Sequence, residues 1–505
     1  MDQARIFEEA RGLVMMKKQM NTTLSAVLLL LLLSFSAYAA DVAVVSKDAE
    51  LAAGDWTRMA QRYPTPHALE DGAKAPSPEV LASWWNALED DTLTQLIALS
   101  LKNNRDLQAA RAKVTEARAA LGISKAASLP WLDSTNSWNR SETSVHSGGT
   151  GIPREIYRLG LDASWEIDIF GGQRENIKAG AASLEEQYAS LHAAWVTLSS
   201  EVALNYLSLR TLQDRLDIGE KNLALQTETL KLLQSRYDAG LSDALALSQA
   251  KYTAEQTRAA IPPIRAGIEQ TMNGLALLVG VVPGSLEEML GEKKPLPKPD
   301  AVNLVGIPAD YLRQRPDIRA AERRLAAQIA RKKSAKTDLL PKFFLFGSVG
   351  LESLSSGNLF SSDSYSYGFG PKITWPIFHG GAIRNNIRVQ TAKEEQYLAA
   401  YEQTVLNAVA EVRDALTANS QERERNSALK QGVAAARNAL KVADDQYRNG
   451  LTNFNNVIDA QRALLSLEEQ QAISEGQMTS NIVRLFKALG GGWEPLSAEN
   501  QTEVK

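Results

Sequence analysis

From Gln173 to Ala239 the chain contains no proline, and only Gly180 and Gly219 interrupt its helix formers. The stretch from Ala382 to Asn449 repeats that length. About 67 residues of continuous helix span roughly 100 Å. A helix of that length cannot fold back into a compact core, so the sequence predicts an elongated molecule. Val202, Leu209, Leu216, Leu223, Leu230 and Tyr237 recur with heptad spacing, the seam of a coiled coil. The second stretch keeps the seam at Val405, Val412, Val433, Leu440 and Tyr447 but breaks it with Asn419 and Asn426.

Both stretches end in the same way. "RYDAGLSDALALSQAKYTA" (236–254) matches "QYRNGLTNFNNVIDAQRALL" (446–465) at Tyr237, Gly240 and Leu241, which correspond to Tyr447, Gly450 and Leu451. A glycine after a long helix supplies the left-handed residue that ends it without steric cost. Ser242 and Thr452 stand where a returning helix takes its N-cap. Each stretch therefore reads as a helical hairpin with its tip at Gly240 or Gly450.

The correspondence extends along most of the chain. Residues 104–132 pair with 315–343, "WEIDIFGGQRENI" (165–177) with "WPIFHGGAIRNNI" (375–387), and "LALLVG" (275–280) with "LFKALGG" (485–491). The expected organisation is an α+β chain with internal duplication, two strands and four helices per half. The first repeat covers 83–280, with strands near 129–145 and 155–169 and the long helix at 173–239. The second covers 307–493, with strands near 341–352 and 365–378 and the long helix at 382–449. A Pro/Gly-rich linker, 281–306, separates them. Residues 40–82 read as an irregular N-terminal extension and 494–505 as a tail.

The strand segments alternate. Tyr157, Leu159, Leu161, Ala163, Trp165, Ile167 and Ile169 are apolar, with Arg158, Gly160, Asp162, Ser164, Glu166 and Asp168 between them. Tyr365, Tyr367, Phe369, Ile373, Trp375 and Ile377 alternate in the same way. A tilted membrane strand needs about 9–11 residues, and aromatic ends suit the two interfaces. A half-buried sheet in a soluble protein gives the same alternation. Four strands cannot close a membrane barrel, since the smallest use about eight. Three copies would supply about 12, enough to enclose a water-filled tube.

The N-terminus supports export. Lys17 and Lys18 precede "TLSAVLLLLLLSFSAYA", ending in the small-x-small triplet Ala37-Tyr38-Ala39. This pattern reads as a signal peptide over 1–39, the alternative being a transmembrane anchor. The charge balance of 55 basic against 59 acidic residues, net −4, argues against nucleic-acid binding. With no cysteine, the chain offers no disulfide, no thiolate site and no acylated cysteine.

The strings "IPADYLRQRPDIRAAERRLAAQIA" (307–330), "WWNALEDDTLTQLIALSLKNNRDLQAARAKV" (84–114), "DAQRALLSLEEQQ" (459–471) and "LFKALGGGW" (485–493) resemble the TolC/OprM-type outer membrane factors, in their NodT-like branch. The resemblance runs from about Trp84 to Trp493. It implies a homotrimeric β-barrel in outer membrane lipid, continued across the periplasm by an α-helical coiled-coil barrel. It also implies docking to a periplasmic adaptor and an inner-membrane pump, typically of the resistance-nodulation-division class, that expels drugs, detergents, dyes or metal ions. The linker 281–306 then falls in the equatorial region, and the tips Tyr237, Gly240, Leu241, Tyr447, Gly450 and Leu451 become candidates for adaptor docking.

Relatives close the periplasmic end with a carboxylate and, four residues before it, an apolar side chain. The carboxylate corresponds to Asp459, with Arg462 as a partner charge, but the preceding position is the polar Asn455. Residue physics alone also allows Asp459 and Arg462 to be a plain i,i+3 pair on a solvated helix face.

No catalytic constellation emerges. The four histidines, His67, His146, His192 and His379, lack metal-ligand spacing. Gly171-Gly172 and Gly380-Gly381 lack a phosphate-binding pattern and mark bends where strands meet helices. The expectation is a passive exit duct with no cofactor, no metal and no enzymatic role. Two alternatives are a type I secretion duct for proteins and a soluble periplasmic coiled-coil scaffold, which would leave the alternating strands without a purpose.

Overall fold

The computed structural model describes residues 81–240, 242–297 and 309–493. The signal segment, nearly all of the N-terminal extension, part of the linker, Leu241 and the C-terminal tail lie outside the described residues.

Two capped helices open the first half. Helix α1 (Asp91–Asn103) starts at Asp90, whose carboxylate accepts from the Leu93 N–H at 2.9 Å. Asn104 caps α2 (Arg105–Ala126) in the same way through Leu107. Such a side chain satisfies one of the orphan donors of a first turn, typically worth about 1 kcal/mol. Strands β1 (Trp131–Ser141) and β2 (Arg154–Ile167) follow, then α3 (Gly172–Asp238), α4 (Ala244–Val279) and the single turn α5 (Glu287–Leu290). The second half repeats the order with α6 (Ala309–Gln314), α7 (Pro316–Thr337), β3 (Lys342–Ser353), β4 (Tyr365–Thr374), α8 (Ala382–Arg448) and α9 (Phe454–Ala488). Both long helices have 67 residues, and the returning helices have 36 and 35. Helix α4 holds Pro262 and Pro263 within its length, both exposed.

A fully buried core lies where α1 meets α3 and α4. Leu93, Leu96, Ile97, Tyr206, Leu207, Leu209 and Leu275 are fully buried there. Nearby, Trp84 stacks on Phe486 with ring centroids 5.6 Å apart. The Tyr206 hydroxyl donates to Asp90 Oδ2 at 2.7 Å, and burial together with that bond pushes its pKa up to about 12. At 0% exposure, Arg210 donates to Gln213 Oε1 and to the Glu292 carbonyl, each at 2.7 Å, fastening α3 to the chain after α5.

The four strands form one antiparallel sheet in the order β1-β2-β3-β4. Its register puts Leu159 opposite Leu351, Leu161 opposite Val349, and Val349 opposite Tyr367. Because side chains alternate, these pairs share one face with Phe343, Leu345, Phe369 and Ile373. Asp162, Ser348, Gly368, Glu166 and Lys372 occupy the other. The second alternating segment is shorter than its pattern suggests. Pairing stops at Thr374 opposite Lys342, so Trp375 and Ile377 lie beyond the strand. Pro376, which has no N–H to give to a ladder, follows immediately, and Trp375 instead donates its indole N–H to the Leu339 carbonyl at 3.1 Å.

The helical seam also differs from the heptad reading. Val202 and Leu209 are buried, but Leu216, Leu223 and Leu230 are only half-buried and Tyr237 is exposed. Toward the tip, Gln213, Gly219, Asn222, Gln226 and Leu233 take the buried positions. In α8, Asn426 does not break the seam. It is buried and its amide lies 3.3 Å from Ser474 Oγ on α9. A straight helix drifts against a strict heptad, so a seam fixed over its first turns rotates away over so long a span.

Candidate functional site

The two hairpin tips meet in one small core. Leu233 from α3, Ala250 from α4, and Phe454, Val457 and Ile458 from α9 are buried together, with Leu230, Leu247, Leu440 and Tyr447 packed around them. Tyr447 lies 5.2 Å from the Phe454 ring, and the Arg236 guanidinium sits 5.0 Å over the Tyr447 face. Arg236 belongs to the first hairpin and Tyr447 to the second, so this contact joins them.

Each turn is built on its glycine. Gly240 has φ 69 and Gly450 φ 72, the left-handed region, and a Cβ at either would meet nothing within 4 Å. Their N–H groups donate to the carbonyls of Tyr237 and Tyr447. The caps differ from the expected residues by one position. Asp243, not Ser242, caps α4, accepting from the Ala246 N–H at 2.6 Å. Asn453, not Thr452, occupies the N-cap of α9 and makes no side-chain cap bond. Thr452 Oγ1 instead accepts from the Asn456 amide at 2.6 Å. Beyond the second glycine, Leu451 is 77% exposed; Tyr237 is exposed too, at 42%, and Leu241 lies outside the described residues.

On α9, Asn455 and Asp459 are both exposed and one helical turn apart, so they share a face. Phe454 and Val457 point into the tip core and cannot line that face. Arg462 Nη1 is 3.9 Å from Asp459 Oδ1, at the limit of an ion pair, and the Asp459 side chain is 75% exposed. Arg462 holds α4 more firmly: its Nη2 donates to Thr253 Oγ1 at 3.0 Å, and its guanidinium lies 5.5 Å from the Tyr252 ring. Arg448, the last residue of α8, pairs with Asp444 at 2.8 Å.

Sequence reasoning missed Thr253, Tyr252 and Arg236. All three act across helices distant in the chain, and nothing in the local pattern marks such a partner. Among the described residues no cluster of three or more His, Asp or Glu is arranged to hold a metal, and no helix is long and apolar enough to cross a membrane.

A family model described as "Outer membrane efflux protein" matches residues 96–281 and again 307–491. The toluene efflux pump outer membrane protein TtgF of Pseudomonas putida is 32% identical over 439 residues, covering 86% of this chain and 91% of that protein. The solved structure of the outer-membrane channel OprN has 34% sequence identity and a TM-score of 0.80, covering 86% of this chain and 99% of that one. The outer membrane protein VceC of Vibrio cholerae has 26% identity and a TM-score of 0.76, covering 83% of this chain and 100% of that one.

Proposed function

Because the chain belongs to the outer membrane efflux protein family, we propose that three copies close one barrel and continue it as a single helical duct toward the inner membrane. The protein is an outer membrane efflux channel of α+β fold. The observation that carries the trimeric reading is the sheet. It has one face that is largely apolar on β2, β3 and β4, although Ser134, Asn136 and Arg140 of β1 share it, one mainly polar face, and two edge strands, β1 and β4, that pair with nothing else among the described residues. Lipid-exposed edges are not tolerated in a bilayer, so β1 of one copy pairs with β4 of the next. The apolar face then meets lipid and the polar face lines a wet lumen. The duct is passive and its cargo is small molecules. At its far end, Gly240, Gly450 and the exposed Leu451 dock a periplasmic adaptor that recruits an inner-membrane pump, while Asp459 and Asn455 narrow the mouth.

Cysteines at Leu161 and Asp162, one on each face of β2, test the barrel. A water-soluble thiol reagent applied to intact outer membranes should label the Asp162 position and spare the Leu161 position. Equal labelling of both would sink the assignment of faces. Heat-sensitive migration of the detergent-extracted protein at three times the chain mass is the expected sign of the trimer.

A further inference from the structure

The polar face of the sheet carries an aromatic feature at one level. Trp131 on β1 is opposite Ser164 on β2, and Ser164 is opposite Phe346 on β3. All three lie on the face that holds Asp162 and Lys372, because they alternate with the apolar row. Trp131 is 60% exposed and Phe346 45%. Two large rings thus flank one small residue, roughly 10 Å apart across three strands. On β4, Gly370 opposite Phe346 adds no side chain. Phe344 stands two residues before Phe346 on the same face.

The next level up is acidic. Asp133 is directly opposite Asp162. Like charges in register across an antiparallel pair destabilise a sheet, and among the described residues neither carboxylate has a cationic partner. Of the other charges on this face, Glu166 and Lys372 flank Phe344 one level below the slot, Lys342 pairs with Asp338, and Arg154, Arg158 and Glu352 lie toward the far end, where Arg158 faces Glu352. An aromatic slot beneath two unneutralised carboxylates is complementary to an organic cation, which an aromatic face attracts as well as a carboxylate does.

We propose that Trp131 and Phe346, with Asp133 and Asp162, form a subsite on the luminal face for organic cations bearing an apolar or aromatic body. This rests on the reading of the polar face as lumen. The subsite deepens that reading by naming the cargo class favoured in the barrel. The mutual repulsion of the two aspartates is retained because it leaves their charge free for a passing cation.

The probe is benzyltrimethylammonium, with benzenesulfonate as an anion of similar size. Isothermal titration calorimetry on the purified full chain in detergent, which needs no open channel, should detect the cation and not the anion. Trp131→Ala and the double variant Asp133→Asn, Asp162→Asn should each weaken cation binding by roughly tenfold. The double variant should also be at least as heat-stable as the parent, since it removes a repulsion. That result separates loss of a binding group from loss of structure. No detectable cation binding, equal binding of cation and anion, or unchanged affinity in both variants would overturn the subsite. Failure of the cysteine-labelling test at Leu161 and Asp162 would instead remove the luminal reading on which it stands.

Discussion

The two long helices have equal length and unequal surroundings. Helix α3 packs against α1, α2, α4, α7 and α9, whereas α8 meets chiefly α7 and α9. Accordingly α3 buries side chains from Ala179 to Leu233, while α8 buries none before Tyr401 and none after Val433. Val389, Leu398, Leu406 and Val442 of α8 remain exposed. Equal helices in one chain do not need equal cores. If the copies assemble as proposed, the half with the thinner core should depend most on a neighbouring copy, since an isolated long helix gains little from propensity alone.

The largest expected effect follows from that contrast. Leu398→Asp with Leu406→Asp should abolish the heat-sensitive trimer on gels while leaving helical circular dichroism near its normal level. Survival of the trimer would mean that α8 is covered by something other than a second copy. Next in size are the tip glycines. Valine at Gly240 or Gly450 forces a left-handed backbone costing about 1–2 kcal/mol, with no steric clash added. Assembly should persist, and loss of efflux and of adaptor crosslinking should be worse for Gly450, which is followed by the exposed Leu451. Full activity in Gly450→Val would remove the tip from the docking surface.

A smaller difference separates the caps. Asp243→Ala should destabilise the first tip by about 1 kcal/mol, visible as faster amide exchange in the first turn of α4. Asn453→Ala should change the second tip far less, because Asn453 makes no side-chain cap bond. Equal exchange rates in the two variants would erase the distinction between hairpins. The smallest stability effect belongs to Asp459→Ala, a few tenths of a kcal/mol at most for so exposed and long a pair. Its conductance effect should be larger, with lower cation selectivity in planar bilayers. An unchanged current would leave Asp459 as a surface charge.

Much of the fold was legible because it depends on short-range pattern. The alternation from Tyr157 marks β2, although the strand ends at Ile167 and leaves Ile169 beyond it, and the absence of proline from 173 to 239 marks α3. The tip glycines were legible because only their backbone angle matters. What the pattern does not encode is the partner across the bundle. The heptad leucines of α3 predict a seam that the structure gives partly to Asn222 and Gln226, because the drift of a straight helix accumulates over its whole length. Arg462 reads as a partner for Asp459 because both lie on one helix. Its firmer hold is on Thr253, 209 positions earlier in the chain. The first cap lies one residue later than the pattern suggests because Asp243, an equally good cap, takes the Ala246 N–H; the shift to Asn453 comes with no side-chain bond.

Pro262 and Pro263 give the first hairpin a mechanical asymmetry. Two adjacent prolines remove the rungs that would close on the carbonyls of Arg258 and Ala259, and both rings are exposed to water. The returning strut of the first hairpin therefore has a compliant joint partway along its length. The returning strut of the second, α9, contains no proline and keeps its rungs, with only Gly476 as a weak helix former in its interior. Under axial load the first hairpin is expected to yield at those missing rungs before the second does, so a push on the tips would reach the two halves unequally.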